Sequence, residues 1–325
     1  MKFTIGFEKE DLKRLHGFWD EIIQTHQWTE GKFTTMFEEK WSEYNKLDSI
    51  SFSSWTGAAM AALDFFNVKG KTVLCPSNTF MATPLSAVKA GARVEFVDCN
   101  RSDLCMSFED LKIKAEKYKP IAVWVVHIGG YLAFEIEKIA QFCKEKGIVL
   151  LEDCAHAHGA AWGGKKPGMW GEAGIYSFYA TKTISTGEGG MLVTGNKELA
   201  GFAKQYRNYG KPDYSVDGLN YRINEFAAAI GCVQTDRLDE IVGWKTEYAK
   251  KHLDPIYINK VRLPDGMSSG YYKYVVFDPI EKSTGKVYDT PCHKIMKKDY
   301  ELPNTEWIAQ NHWCVPIYYK GDSNL

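Results

Sequence analysis

The chain predicts an α/β fold: a large domain on a mostly parallel central sheet covered by helices, then a smaller C-terminal α+β domain. Three observations carry this reading. Several short runs are apolar from end to end, such as IAVWVVHI (121–128) and IVLLEDC (148–154), as strands buried on both faces must be. These runs alternate with segments of helical periodicity, the order that builds a parallel sheet. From about residue 253 the alternation stops, and YYKYVVFDP (271–279) and WCVPIYY (313–319) read as strands joined by polar connections. A chain of 325 residues accommodates both parts. We divide them as 1–240, with an N-terminal helical segment, and 241–325.

The elements follow in order. Residues 8–25 read as a helix. Residues 32–46 carry Phe33, Phe37, Trp41 and Tyr44 at helical spacing, a stripe for core packing. SISFSSW (49–55) reads as a short strand, and TGAAMAALDFF (56–66) as a helix of small residues. Then come a strand at 71–77, a helix at 79–91, a strand at 93–99 and a helix at 108–118. The strand at 121–128, the helix at 135–147 and the strand at 148–154 complete the alternation. Helices are expected at 197–208 and 222–252.

Composition narrows the function. A formal net charge of −1 gives no electrostatic footprint for nucleic acid. The eight cysteines form no C-x-x-C pair and read as reduced thiols of a cytoplasmic protein. The N-terminal MKFTIGFEKEDLKRL lacks the apolar core of a signal peptide, and no apolar run nears the roughly 20 residues of a membrane span.

Ligands of such sheets sit beyond the carboxyl ends of the strands, so the residues there hold the chemistry. In SFYATKTISTGEGG (177–190), Lys182 stands among hydroxyls, aromatics and glycines rather than other charges. It is either a lysine snorkelling from a buried strand and turn, or an amine held in a pocket for nucleophilic or Schiff-base chemistry. Asp153 ends a buried strand, where it caps the next segment or faces a ligand. His156 and His158 follow it; metal binding is one reading, though no further ligand set accompanies them. Ser54 and Thr56 flank a helix start, an ordinary cap or a phosphate site, and Ser177 adds a hydroxyl. Phe80 lies just past a strand end, as core or as a stacking ring. A hydroxyl-lined phosphate site, an aromatic, an acid and a lysine together make the part list for pyridoxal 5'-phosphate (PLP): the lysine holds its aldehyde and the acid keeps its ring nitrogen protonated.

The blocks SSWTGAAMAAL, CPSNTFMAT, LLEDCAHAHGA, YSFYATKTISTGEGGMLVTG and GLNYRINEFAAAIGCVQTDRLDE, in this order over roughly 8–250, resemble the sugar aminotransferase (DegT-type) family of fold-type-I PLP enzymes. The resemblance implies Lys182 as Schiff-base lysine and proton shuttle, and Asp153 as partner of the pyridinium. It implies Phe80 stacked on the ring, and His156 near its phenolic oxygen. Ser54, Thr56 and Ser177 are implied as phosphate contacts, with Asn220 reaching the phosphate from the neighbouring subunit of a homodimer. Arg222 is a second candidate at that place, and His293 a candidate substrate contact. Two departures stand out. Trp55 replaces the glycine usual between the serine and threonine of the phosphate block, which raises the question of a backbone that tolerates only small residues. The chain also ends soon after VPIYY.

The resemblance further implies transamination. An amino acid, expected to be L-glutamate, converts the cofactor to pyridoxamine phosphate, which then aminates a nucleotide-linked keto-deoxysugar, expected to be a 4-keto-6-deoxyhexose. The alternatives are a sugar 3-dehydratase, whose relatives carry histidine in place of Lys182; an aminotransferase of another cyclic ketone; and a regulatory or binding protein that keeps the fold without turnover.

Overall fold

Two helices, α1 (Lys9–Thr25) and α2 (Lys32–Asn45), precede the first strand, β1 (Asp48–Phe52), in a computed structural model describing residues 6–320. The aromatic stripe of α2 is core: Phe33, Phe37 and Trp41 are fully buried. The rings of Phe37 and Trp41 each meet Phe178 edge-on at 5.1 Å, so α2 braces the loop that carries Lys182. The free N–H groups at the start of α2 are satisfied by a distant residue. The buried Glu225 carboxylate accepts from the backbone N–H of Gly31 (2.9 Å), Phe33 (2.7 Å) and Thr34 (3.0 Å), where helix geometry favours negative charge.

The alternating core follows: α3 (Trp55–Phe65), β2 (Thr72–Pro76), α4 (Ala82–Lys89), β3 (Arg93–Val97), α5 (Phe108–Tyr118), β4 (Ala122–Val126), α6 (Ile136–Lys146) and β5 (Val149–Asp153). The structure delays α4 relative to the expected 79–91. Pro84 then falls in the first turn, where its missing N–H needs no partner, and residues 77–81 remain a loop over the site. After the short β6 (Ala161–Trp162) come β7 (Ala173–Ser177) and β8 (Gly190–Thr194). These complete a seven-stranded sheet of order β1-β8-β7-β5-β4-β2-β3. Its strands are parallel except β8, which runs antiparallel to both neighbours. The connection from β7 to β8 contains no helix to carry the chain back across the sheet, so the strand returns antiparallel. That connection, residues 178–189, is the Lys182 loop. Apolar side chains cover both sheet faces, Phe96, Trp124, Ile175 and Leu192 on one and Leu74, Val123, Val125 and Leu150 on the other.

Beyond α7 (Lys197–Tyr206), the long α8 (Glu225–Tyr248) packs along α2. A Cβ at Gly231 would lie 2.7 Å from the Phe37 ring, so this glycine permits the close helix contact. Helix α8 runs unbroken across residues 240 and 241, and so spans the expected division between the two parts. The remainder contains β9 (Met267–Ser268), which pairs with β6, then β10 (Tyr274–Val276), α9 (Cys292–Ile295), α10 (Pro303–Gln310) and β11 (Trp313–Val315), which pairs antiparallel with β10. The strands expected at 271–279 and 313–319 are trimmed to three paired residues each, with Lys260 bridging β10 at Val276 on its other side. No helix among the described residues is long and apolar enough to cross a membrane. All eight cysteines are buried and unpaired with one another.

Candidate active site

Strands β1, β2, β5 and β7 run in the same direction, and their carboxyl ends deliver Ser54, Phe80, Asp153 and Ser177 to one edge of the sheet. A cavity of about 910 Å³ opens there. Of the residues singled out by sequence, Ser54, Thr56, Phe80, Asp153, His156, Ser177 and Lys182 all line it.

Asp153 is buried, 6% exposed. Its Oδ1 accepts from the Trp55 indole Nε1 and the Ala155 N–H, each at 3.1 Å, and its Oδ2 accepts from Thr83 Oγ1 at 2.8 Å. Burial pushes its pKa up; the Ala155 N–H, the Thr83 hydroxyl and the positive charge of Lys182 pull it back. A carboxylate oxygen has room for two donors, so Oδ2 retains one acceptor position.

Trp55 answers the question raised by the missing glycine. It is the first residue of α3 and does not adopt positive φ, so the backbone concern does not apply. Its buried ring packs on Trp124, with centroids 5.5 Å apart, and its indole N–H is shared between Asp153 and the Ile175 carbonyl, each at 3.1 Å. Ser54 caps α3, its Oγ accepting from the Gly57 N–H at 3.3 Å. The glycine that is needed lies across the sheet: a Cβ at Gly190 would lie 2.3 Å from the Ser54 carbonyl.

Lys182 projects from the β7–β8 loop, its Nζ 4.9 Å from the centroid of the Tyr272 ring. Burial lowers its pKa to about 8, against the opposing pull of Asp153. The hydroxyls around it divide into two sets. Ser185 and Thr186 bond the loop's own backbone, to Phe178 O (3.1 Å) and Glu188 O (2.6 Å), and Gly187 takes the positive φ of the turn. Ser177, Thr181 and Thr183 line the cavity. Thr181 meets the Tyr272 hydroxyl at 3.0 Å, while the buried Thr183 Oγ1 has no partner among the described residues.

The two histidines after Asp153 face different surroundings. His156 packs tilted against Tyr272 with ring centroids 4.3 Å apart, its Nε2 3.4 Å from the Tyr288 hydroxyl, and its buried Nδ1 has no partner among the described residues. Burial and the nearby Lys182 and Lys273 hold its pKa well below the ordinary range, so it is neutral. His158 points away, into a box of Trp41, Tyr176 and Phe178 with centroids 5.2–5.9 Å away. Burial lowers its pKa to about 3. Neither belongs to the one metal-like grouping among the described residues, His127, Glu152 and Cys154. There Glu152 bonds His127 and the N–H groups of Gly168, Trp170 and Gly171, a buried staple for the turn before β7.

Three expected residues lie elsewhere. Asn220 is exposed and does not line this chain's cavity; Arg222 bonds Asn208 at 2.5 Å. His293 is fully buried between Ser77 Oγ (2.7 Å) and Glu306 (3.1 Å), which rules out the expected contact with substrate from this position. The sequence reading missed Thr83 as a partner of Asp153, and Tyr272, Tyr288, Lys245 and Lys273 on the cavity wall. Tyr272 and Lys273 lie in the run GYYKYVV, read from sequence only as part of a strand.

These features fit PLP. The spare Oδ2 position suits a ring N–H, and the orphaned His156 Nδ1 and Thr183 Oγ1 await polar partners. The Ser54-capped start of α3, with Thr56 and Ser177 beside it, suits a phosphate.

Comparison with known proteins agrees. The chain is 34% identical over 227 residues to GDP-perosamine synthase of Vibrio cholerae, covering 68% of this chain and 61% of that protein. This chain therefore spans about three fifths of that relative's length. It is also 34% identical to a pleiotropic regulatory protein of Geobacillus stearothermophilus, over 92% of this chain and 88% of that one. The solved structure of the aminotransferase TlmJ from Streptoalloteichus hindustanus superposes with a TM-score of 0.88 at 27% identity, covering 98% of this chain and 93% of the other. The profile of one family matches residues 10–262, more than three quarters of the sequence. The chain belongs to the DegT/DnrJ/EryC1/StrS aminotransferase family.

Proposed function

We propose that this protein is a PLP-dependent aminotransferase, moving an amino group from L-glutamate to the keto group of a nucleotide-linked deoxysugar, a 4-keto-6-deoxyhexose. The observation that carries the proposal is the convergence of Lys182, Asp153, His156 and three hydroxyl residues on one cavity where two buried polar atoms, His156 Nδ1 and Thr183 Oγ1, lack partners among the described residues. When bound, the cofactor supplies an aldehyde for imine exchange and a protonated ring that takes up electrons from the substrate carbon.

The chain's residues do the rest. Asp153 would accept the ring N–H at its spare Oδ2 position and hold that proton in place. Lys182 Nζ, with a pKa of about 8, moves the proton between donor and acceptor carbons as base and then acid. Neutral His156 would offer Nδ1 to the ring's phenolic oxygen. Ser54, Thr56, Ser177 and the amides of α3 would hold the phosphate, and Phe80 would lie against the ring. Tyr272 and Tyr288 wall off water.

The named relative in Vibrio cholerae supports a nucleotide-linked sugar as acceptor, and a cavity of about 910 Å³ leaves room for cofactor and sugar together. The product is an amino sugar for surface polysaccharide or a glycosylated metabolite.

We read the active form as a homodimer with shared sites, Asn220 reaching the partner's phosphate and Arg222 standing second. Phe80, Tyr179, Tyr209 and Leu219 are 45–64% exposed, an apolar set in need of cover. We keep the division into two parts near residue 240, with α8 as the shared spine, and a cytoplasmic location, which the buried free thiols favour.

The regulatory reading has one observation in its favour, the name of the Geobacillus relative. The intact lysine and aspartate in one cavity weigh toward chemistry. Lys182→Ala tests the assignment: the variant is expected to retain PLP non-covalently and lose transamination, and full activity would overturn it.

A further inference from the structure

The cavity holds more positive charge than the cofactor uses. Its lysines are Lys182, Lys245 and Lys273; its acids are Asp153 and the exposed Glu188. Lys182 and Asp153 are committed to the cofactor, and the phosphate is met by hydroxyls and helix amides. Lys245 and Lys273 are left over.

Lys245, on α8, is 6% exposed, yet no carboxylate pairs with it among the described residues. Its ammonium makes one hydrogen bond there, to the Tyr271 carbonyl at 3.1 Å, and has two donors to spare. Burial, reinforced by Lys273, lowers its pKa to about 8. Lys273, two residues beyond that carbonyl, likewise has no acidic partner among the described residues. Its Nζ lies 5.3 Å from the centroid of the Tyr272 ring, and Lys182 Nζ lies 4.9 Å from the same centroid. The Lys182 and Lys273 ammonium groups are therefore no more than about 10 Å apart, so a substrate reacting at Lys182 can also reach Lys273. Burying a cation without a counter-charge is unfavourable, and a ligand anion removes that penalty.

We propose that Lys245 and Lys273 form an oxyanion subsite on the Tyr271–Lys273 side of the cavity that binds the charged group of the substrate. This rests on the aminotransferase reading. Two sources share the chemistry: the carboxylate of the amino donor and the diphosphate of the nucleotide.

The test uses the PLP-loaded protein and the variants Lys245→Met, Lys273→Met and Lys273→Arg. Two quantities are measured: the L-glutamate concentration giving half-maximal single-turnover loss of the visible band, and the calorimetric affinity for inorganic pyrophosphate. Each methionine variant is expected to weaken at least one probe about tenfold or more, with Lys273→Arg close to wild type. A loss confined to L-glutamate assigns the subsite to the donor, and one confined to pyrophosphate assigns it to the nucleotide. Unchanged binding of both probes in both methionine variants overturns the proposal. So does an equal loss in Lys273→Arg, which would mark a structural effect, and so does a wild-type protein that binds neither probe. If Lys245→Met does not fold, the half-buried Lys273 carries the test. A protein that binds pyrophosphate through these lysines but never reacts with an amino donor would refute the aminotransferase reading and leave the subsite standing.

Discussion

Replacing Trp55 by Phe removes one donor from the most consequential carboxylate in the protein and keeps most of the ring against Trp124. The indole N–H is shared between Asp153 Oδ1 and the Ile175 carbonyl, each at 3.1 Å. The carbonyl stays satisfied, because it also accepts from the Cys154 N–H at 2.9 Å. The loss therefore falls on Asp153. A hydrogen bond to a charged group contributes about 1.5–3 kcal/mol, and a shared one sits at the lower end. Asp153 should therefore titrate higher in the variant. The direction follows from the chemistry: a donor stabilises the anion, so its removal lets the proton stay on. Ala155 and Thr83 remain as donors, which limits the effect. The assay is the dissociation constant for PLP from pH 6 to 9. Affinity should fall about tenfold, and the deficit should grow as pH falls, because the variant carboxyl protonates earlier. In an Asp153→Asn background the Trp55→Phe effect should shrink, since the two residues act through one contact. An equal loss at every pH would reduce Trp55 to a packing residue and refute the reasoning. So would an undiminished effect in the Asp153→Asn background.

Two further outcomes follow from buried bases. The rate at which apo-protein captures PLP covalently should rise with pH through about 8, as Lys182 loses its proton, then level off; a rise continuing to the ordinary lysine range would contradict the desolvated setting. His158, with its pKa lowered to about 3, is neutral in the fold but titrates near 6.5 when unfolded. The unfolded chain thus binds the extra proton between these values, and stability is lost as pH falls below about 6.5. His158→Phe should reduce the slope of unfolding free energy between pH 6 and 4.5 by up to about 1.4 kcal/mol per pH unit; an unchanged slope in denaturant titrations would refute this.

Much of this site could be read before folding, for identifiable reasons. Asp153 and Lys182 stand at or just past the ends of apolar strands, and an apolar run ending in an ionisable residue is visible in one dimension. The parallel sheet was legible from alternation, whereas β7 and the antiparallel β8 were not assigned from sequence, because no helix separates them to mark the alternation. What stayed hidden depends on contacts between distant segments. Nothing in SSWTG reveals that the Trp55 indole reaches an aspartate 98 residues away. Lys245, Tyr272 and Lys273 reach the cavity only because α8 and the start of β10 converge there. Sequence also cannot say which hydroxyl of a loop turns inward: Ser177 and Thr183 line the cavity, while Ser185 and Thr186 hold the backbone. His293, a candidate substrate contact, is instead buried between Ser77 and Glu306.

The central claim is that Lys182 and Asp153 work on a bound PLP to take an amino group from a donor. The most direct measurement is the visible absorption spectrum of the PLP-loaded protein before and after L-glutamate. The account predicts a visible band that disappears on adding the donor and returns with 2-oxoglutarate. A protein that takes up no PLP, or one whose band is unmoved by any amino donor, would contradict it.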